Sequence, residues 1–358
     1  MKIALLSYST KPRGGVVHTL ALAEALAAEG QDVTVWTLGR GGDTGFFRPV
    51  DPAVRLRIVP FPDGPHNETV GERILRSIGT LRDAFDPAPY DIVHAQDCIS
   101  ANAVGRCVRT VHHIDHFTTP ELAACHERAI VEPYAHICVS QSVAGELARG
   151  WGLSPAVIPN GVAYERFATT CPEARAAWRS RLGRYVLTVG GIEPRKGSLD
   201  LLEAYAVLHA SHPDVRLVVA GGETLFDYRD YRTRWEARAA ELGAGPIVLG
   251  QVAEEHLPSL VAAASAFAFP SVKEGFGLAA MEALAAGVPL IVRDLPVLRE
   301  VFDGTARFAH TPIDLAAELS AALAADDPAR QARGRKLAAR HTWQTAAGRH
   351  LAFYRTLG

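Results

Sequence analysis

Strand-like apolar runs alternate with helical periods along the whole chain, and that alternation restricts the fold more than any other feature. The first half carries strand candidates at 2–7, 32–37, 55–59, 92–95, 107–111, 136–139 and 156–158. The second half carries them at 185–189, 216–220, 247–249, 266–269, 290–292 and 306–309. Helical periods separate most neighbours, among them 16–28, 121–132, 199–209, 231–242 and 277–286. Repeated β-α units predict parallel sheets covered by helices on both faces.

A seam falls at 159–180, where Pro159-Asn160-Gly161 signals a turn and an irregular polar stretch runs to Pro172. A new buried strand then starts at Tyr185. The expected architecture is therefore α/β, with two doubly wound, Rossmann-like domains, 1–165 and 166–342. Such sheets bind ligands beyond the carboxyl ends of their strands, so two of them are expected to face across a cleft that holds the site.

A formal charge of −2 leaves no global field to attract nucleic acid or an anionic membrane. The apolar run at 2–7 is too short for a signal peptide, and no run approaches the ~20 residues of a membrane span. Cys98, Cys107, Cys125, Cys138 and Cys171 form no C-x-x-C pair and mostly adjoin apolar runs, which suggests reduced thiols and a cytoplasmic setting. The segment 67–85 aligns Ile74, Leu75, Ile78, Leu81 and Phe85 on one helical face. Its arginines are offset by acids, so core packing is the better reading than membrane attachment.

The richest motif is Glu274-Gly275-Phe276-Gly277-Leu278-Ala279-Ala280-Met281-Glu282. Two glycines let backbone N–H groups approach a phosphate, and the helix that follows points its positive end at the anion. Glu274 stands at the mouth of that loop, and Glu282 lies on an apolar helix where a carboxylate needs a partner. A sugar nucleotide would supply hydroxyls to both acids and phosphates to the amides between them. The simpler reading is a turn before a core helix, with both acids solvated.

Other polar groups follow predicted strands directly. Gly14 and Gly15 open the first helix as a possible anion nest or a plain loop. His112-His113-Ile114-Asp115-His116 leaves the strand 107–111. These residues could ligate a metal, cap the strand, or form a polar cleft wall with one His at the reacting sugar or the acceptor. Gly190-Gly191-Ile192-Glu193-Pro194-Arg195-Lys196-Gly197 sets adjacent cations at a helix start, either as a diphosphate clamp or as a solvated basic turn. Ala220-Gly221-Gly222-Glu223 and Gly250-Gln251-Val252 are further glycine-marked strand exits.

Taken in order, these features resemble the family 4 retaining glycosyltransferases of the GT-B fold, over essentially the whole chain. The shared elements are the Gly-Gly turn, Thr110-Val111-His112, Val139-Ser140, Pro159-Asn160-Gly161-Val162, Arg195-Lys196-Gly197, the Glu-x7-Glu loop after Phe269-Pro270-Ser271, and Ala286-Gly287-Val288-Pro289. The resemblance implies a hexosyltransferase-type enzyme (EC 2.4) with a nucleotide-bound donor domain at 166–342 and an acceptor domain at 1–165. It also implies that the final helix, within 343–358, returns to the first domain. Glu282 would hold the ribose, and the amides of Gly277, Leu278 and Ala279 would hold the diphosphate with Arg195 and Lys196. Glu274 and Phe276 would meet the donor sugar, Val252 the base through its backbone, and Gly15 the donor at the first glycine nest. His112 would sit near the reacting carbon, with His113 as its alternate and Asp115 and His116 as further sugar or acceptor contacts. Gly191 stands where many members have Arg, so the clamp rests on Arg195 and Lys196. Ala163 replaces the Asp of the usual Asn-Gly-Val-Asp turn.

Departure of a nucleoside diphosphate needs positive charge, and no Asp-x-Asp motif occurs in this chain. Arg195, Lys196 and the helix start at Gly277 would meet that need without a metal or other cofactor. The expected donor is UDP-, GDP- or ADP-linked, and the acceptor a sugar, lipid or small molecule. The resemblance further implies retention, by front-face attack of the acceptor within an ion pair. Two further readings keep the fold: a nucleotide-sugar epimerase or phosphorylase, and a non-catalytic sugar-nucleotide-binding protein.

Overall fold

The computed structural model describes residues 1–115, 117, 119–222 and 228–357. The chain divides into two compact units, Met1–Gly161 with Trp343–Gly358, and Val162–Thr342.

In the first unit, strands β1 (Lys2–Leu6), β2 (Asp32–Arg40), β3 (Arg55–Phe61), β4 (Ile92–Ala95), β5 (Val108–Val111), β6 (Ala135–Cys138) and β7 (Ala156–Val157) form one sheet. Their order is β3-β2-β1-β4-β5-β6-β7, and every pairing is parallel. β1 is central because Leu6 pairs with Trp36 on one side and Ala95 on the other. Its residues Ile3, Ala4, Leu5 and Leu6 are all fully enclosed, as a strand covered on both faces requires.

Helix Val70–Ala84 is set by a capping box between Thr69 and Glu72 and buries Ile74, Ile78 and Leu81. Leu75 departs from the expected apolar face: it is 43% exposed, because position 75 lies a third of a turn away from the 74–78–81 stripe. The last helix, Trp343–Tyr354, packs along helix Gly14–Ala28.

The second unit repeats the plan with β8 (Arg184–Val189), β9 (Val215–Ala220), β10 (Ile247–Gly250), β11 (Ala266–Phe269), β12 (Leu290–Arg293) and β13 (Arg307–Ala309). The order is β10-β9-β8-β11-β12-β13, again wholly parallel. Leu201, Leu202, Tyr205, Leu217, Val219, Trp235, Leu315 and Leu319 belong to its core. The stretch expected to be irregular instead carries helix Tyr164–Ala168, and a second helix, Pro172–Leu182, follows it before β8. The second starts at a proline, whose fixed φ and missing N–H suit a first helical position. Its charged residues face solvent and leave little apolar periodicity to read.

In both sheets the winding reverses beside the first strand, between β1 and β4 and between β8 and β11. Open parallel sheets bind ligands at that reversal, beyond the carboxyl ends of the strands.

Candidate functional site

In the second unit the two strands flanking the reversal deliver the predicted clamp. β8 exits through Gly190 into a short 3₁₀ turn, Pro194–Lys196, and helix Ser198–Ser211. β11 exits through Pro270 into the Glu274 loop. The two exits are tied together by the Val272 N–H, which donates to the Arg195 carbonyl at 2.9 Å. Gly197 makes this approach possible: its φ is +63°, and a Cβ there would lie 2.3 Å from the Pro270 carbonyl oxygen.

Lys196 Nζ donates to Glu274 Oε1 at 2.6 Å, and Arg195 Nη1 donates to the same oxygen at 3.1 Å. Arg195 Nη2 also donates to Glu193 Oε1 at 3.2 Å. The Glu274 side chain is only 10% exposed. Burial works against its charge, but Lys196 and then Arg195 override it and hold the pKa down to about 2. Burial pulls Lys196 below the usual lysine range, with Glu274 opposing.

The clamp and the helix start share a wall. Lys196 Nζ lies 5.0 Å from the centre of the Phe269 ring, and a Cβ on Gly277 would lie 3.4 Å from that same ring. Gly277 has φ +100° and serves as N-cap of helix Leu278–Ala285 without a side-chain cap. The first intrahelical bond is from the Met281 N–H to the Gly277 carbonyl, so the N–H groups of Leu278 and Ala279 have no acceptor within the helix. The Phe276 ring turns inward. It is 3% exposed and lies 5.9 Å from the His341 ring, so the aromatic side chain serves the core and only the main chain at 276 is left for a ligand.

Glu282 is half-buried on that helix, and among the described residues no side chain hydrogen-bonds it. Burial, then the Glu254 carboxylate, push its pKa up to about 8 against the pull of Arg166. Arg166 and Glu254 form their own pair at 2.6 Å. Sequence reasoning missed both, because they lie 88 residues apart and only packing brings them together. Val252 is half-buried in the loop after β10, beside Gln251, whose Cβ lies 3.5 Å from where a Gly222 Cβ would be. Glu223 lies outside the described residues.

In the first unit His112 directly follows β5. A Cβ on Gly15 would lie 3.9 Å from His112 Cδ2 and 4.0 Å from Nε2, so the first glycine nest and this imidazole adjoin. His112 Nε2 is enclosed and has no hydrogen-bond partner among the described residues. Burial, followed by Arg109 and His113, drives its pKa well below the usual value and keeps the ring neutral. His18, 1% exposed, stacks edge-on against His112 at 4.7 Å and against Trp343 at 5.3 Å, and its Nδ1 pairs with Asn160 Oδ1 at 2.9 Å. His94 pairs through Nδ1 with the Tyr354 hydroxyl and through Nε2 with Thr110 Oγ1, each at 2.7 Å. The position of His18, four residues into the first helix, gave no sequence signal beyond an isolated histidine on an apolar stripe.

His113 Nε2 lies 3.2 Å from an Asp115 carboxylate oxygen. His116 lies outside the described residues. Among the described residues no group of three or more His, Cys, Asp or Glu side chains converges as a metal shell. The described cysteines are all free. Cys107, Cys125 and Cys138 are buried, whereas Cys171 is exposed. No helix among the described residues is long and apolar enough to cross a membrane.

Two parallel Rossmann-ordered sheets, with a cation clamp and an open helix start at the reversal of the second, define a GT-B glycosyltransferase. Comparison with known proteins gives the family. Residues 12–166 match the model for Glycosyltransferase Family 4, and residues 172–337 match that for Glycosyl transferases group 1. The chain is 30% identical over 407 residues to a D-inositol 3-phosphate glycosyltransferase of Streptomyces avermitilis, covering 97% of this chain and 85% of the relative. It is 29% identical over 392 residues to a phosphatidyl-myo-inositol mannosyltransferase of Mycolicibacterium smegmatis, covering 100% and 94%. Among solved structures, Thermosynechococcus elongatus sucrose-phosphate synthase superposes with a TM-score of 0.80 at 22% identity, covering 99% of this chain and 98% of the other. Anabaena HepE in complex with UDP and glucose gives 0.74 at 20% identity, covering 99% of each chain. The chain belongs to the family 4, group 1 glycosyltransferases, enzymes that use a nucleotide sugar.

Proposed function

We propose that the second unit holds a nucleoside diphosphate sugar and transfers the sugar, without a metal and with retention, to a polyol bearing a phosphate. The observation that carries this reading is the convergence of Lys196, Arg195 and the Leu278 and Ala279 amides around one loop, with no side chain among the described residues hydrogen-bonding Glu282. Residues 166–342 would be the donor domain, and 1–165 with 343–358 the acceptor domain.

The chemistry follows from charge. When the bond from sugar C1 to the diphosphate breaks, its electron pair stays on the phosphate oxygen. Lys196, Arg195 and the helix-start amides are preorganised to stabilise that oxygen, and donors of this kind are worth about 3–4 kcal/mol each in known sites. These residues supply the positive charge that a bound cation otherwise would. Glu282 would accept hydrogen bonds from the ribose diol, and the backbone at Val252 would meet the base. Glu274 is held by two cations and is a poor nucleophile, so a glycosyl-enzyme intermediate of the glycosidase kind is disfavoured. Attack by the acceptor hydroxyl from the leaving-group side would retain configuration. The neutral imidazole of His112, with Gly15 beside it, would face the sugar ring, and His113, Asp115 and His116 would lie toward the acceptor.

Two relatives are named for acceptors of one chemistry, inositol 3-phosphate and phosphatidyl-myo-inositol, which supports a phosphorylated polyol here. The test is a transfer assay with UDP-, GDP- and ADP-sugars in EDTA, with the product anomer read by NMR. Donor-dependent product of retained configuration is expected. Activity restored only by Mg²⁺, or an inverted product, would refute the corresponding part. Donor turnover without acceptor would favour an epimerase, and turnover dependent on free phosphate a phosphorylase. Saturable donor binding without transfer to any acceptor would mark a non-catalytic binder.

A further inference from the structure

The nucleoside half of the donor site is bordered by a charge pair that the transfer chemistry does not use. β10 leaves its sheet through Gly250, whose φ of +69° turns the chain into the loop 251–256. Within that loop the His256 and Leu257 N–H groups donate to the Ala253 carbonyl at 2.9 and 3.2 Å. Among the described residues the main chain of Val252 makes no hydrogen bond, which leaves its N–H and carbonyl for a ligand.

Arg166 anchors the loop from outside. It lies on helix Tyr164–Ala168, which packs against helices Leu257–Ala263 and Leu278–Ala285. Its Nη1 donates to Glu254 Oε1 at 2.6 Å, and its Nη2 donates to the Glu254 main-chain carbonyl. One guanidinium thus holds the side chain and the backbone of a single residue, two positions beyond Val252. A planar fork with two donors in set directions fixes the orientation of what it grips, and a flexible ammonium does not. Both charges of the pair act on Glu282, on the second of those packed helices. The pair therefore adjoins both the loop assigned to the base and the carboxylate assigned to the ribose.

Recognition of a base by main-chain groups is directional. An N–H and a carbonyl distinguish base edges only when held at hydrogen-bonding distance and angle. A site built to hydrogen-bond its ligand rejects one with the wrong pattern of donors and acceptors, whereas the diphosphate is common to every nucleoside diphosphate. We propose that Arg166 is a positioning residue for nucleobase selection: by gripping Glu254 through side chain and main chain, it fixes the backbone at Val252 that reads the base. The inference rests on the donor reading above and adds the residue that sets which base the donor carries.

Calorimetric titration of the full chain with UDP, GDP and ADP tests it, in wild type, Arg166→Met and Arg166→Lys. Wild type should prefer one base. Arg166→Met should lose about tenfold in affinity for that nucleotide and less than about twofold for the least favoured one, which is held mainly by its diphosphate. Most of the preference then disappears, a change that a general loss of structure would not produce. Arg166→Lys keeps a cation beside Glu254 without the fork, so it should retain only part of the preference. It carries the test if Arg166→Met, which leaves Glu254 unpaired, fails to fold. Equal losses for all three nucleotides, an unchanged preference in a folded variant, or wild type that binds all three alike would overturn the proposal. Wild type that binds none of the three would remove the donor reading, and this inference with it.

Discussion

Replacing Lys196 by methionine should weaken nucleoside diphosphate binding, and, because it also takes one of two cations from Glu274, lower stability as well. The lysine stem packs near Gly190 and the Phe269 ring, and methionine keeps most of that apolar contact. What disappears is a charge-assisted hydrogen bond of about 1.5–3 kcal/mol to the phosphate, roughly a tenfold to hundredfold rise in Kd. Wild-type protein at a ligand concentration of about 100 Kd gains about 2.7 kcal/mol from binding. At that same concentration the variant should gain only about 0.4–1.4 kcal/mol. Glu274→Gln is the counterpart. It removes the acid that Lys196 contacts at 2.6 Å, and with it a negative charge beside the phosphates. A nucleoside diphosphate lacking the sugar should then bind at least as tightly as it does to wild type. Isothermal titration with whichever nucleoside diphosphate the wild type prefers decides both. Folded Lys196→Met with Kd within twofold of wild type, or Glu274→Gln that binds tenfold worse, would refute the clamp.

Other outcomes follow from the same geometry. The Glu282 carboxyl has a folded pKa raised from 4.5 to about 8, so it binds protons more readily in the native state and its contribution is lost as pH rises from about 4.5 through 8. Glu282→Gln should flatten that part of a denaturation-against-pH curve; an unchanged slope would contradict the assignment. His350 runs the other way. Burial lowers its pKa from 6.5 to about 4, so stability should fall by about 3 kcal/mol as pH drops through that window, and His350→Phe should remove much of the loss. Equal acid sensitivity in the variant would count against it. Gly277→Ala must hold alanine at φ +100° with its Cβ 3.0 Å from the Phe302 ring. It should lower stability by about 1–3 kcal/mol and impair donor binding, and a neutral Tm would show that the loop tolerates a side chain.

Much of this was readable because parallel strands buried on both faces are continuous apolar runs, and each predicted run corresponds to an observed strand. Lys196, Arg195 and Glu274 were legible for a related reason: each follows such a strand directly, where the topology leaves little freedom. The burial of the Phe276 ring had no local signal, because an aromatic residue in a glycine loop reads the same whether it points into the core or out of it. The Arg166–Glu254 pair had no local pattern, since the two residues lie 88 positions apart. The helix Pro172–Leu182 was hidden by a charged surface that carries no apolar stripe.

The central claim is that backbone amides and two cations, on one loop pair of the second unit, hold the donor's diphosphate. Amide chemical shifts of Gly277, Leu278 and Ala279, followed while the preferred nucleoside diphosphate is titrated in EDTA, report on that contact directly. The account predicts saturable shifts at all three, lost in Lys196→Met at equal ligand concentration. Saturation elsewhere in the chain with these three amides unmoved would contradict it.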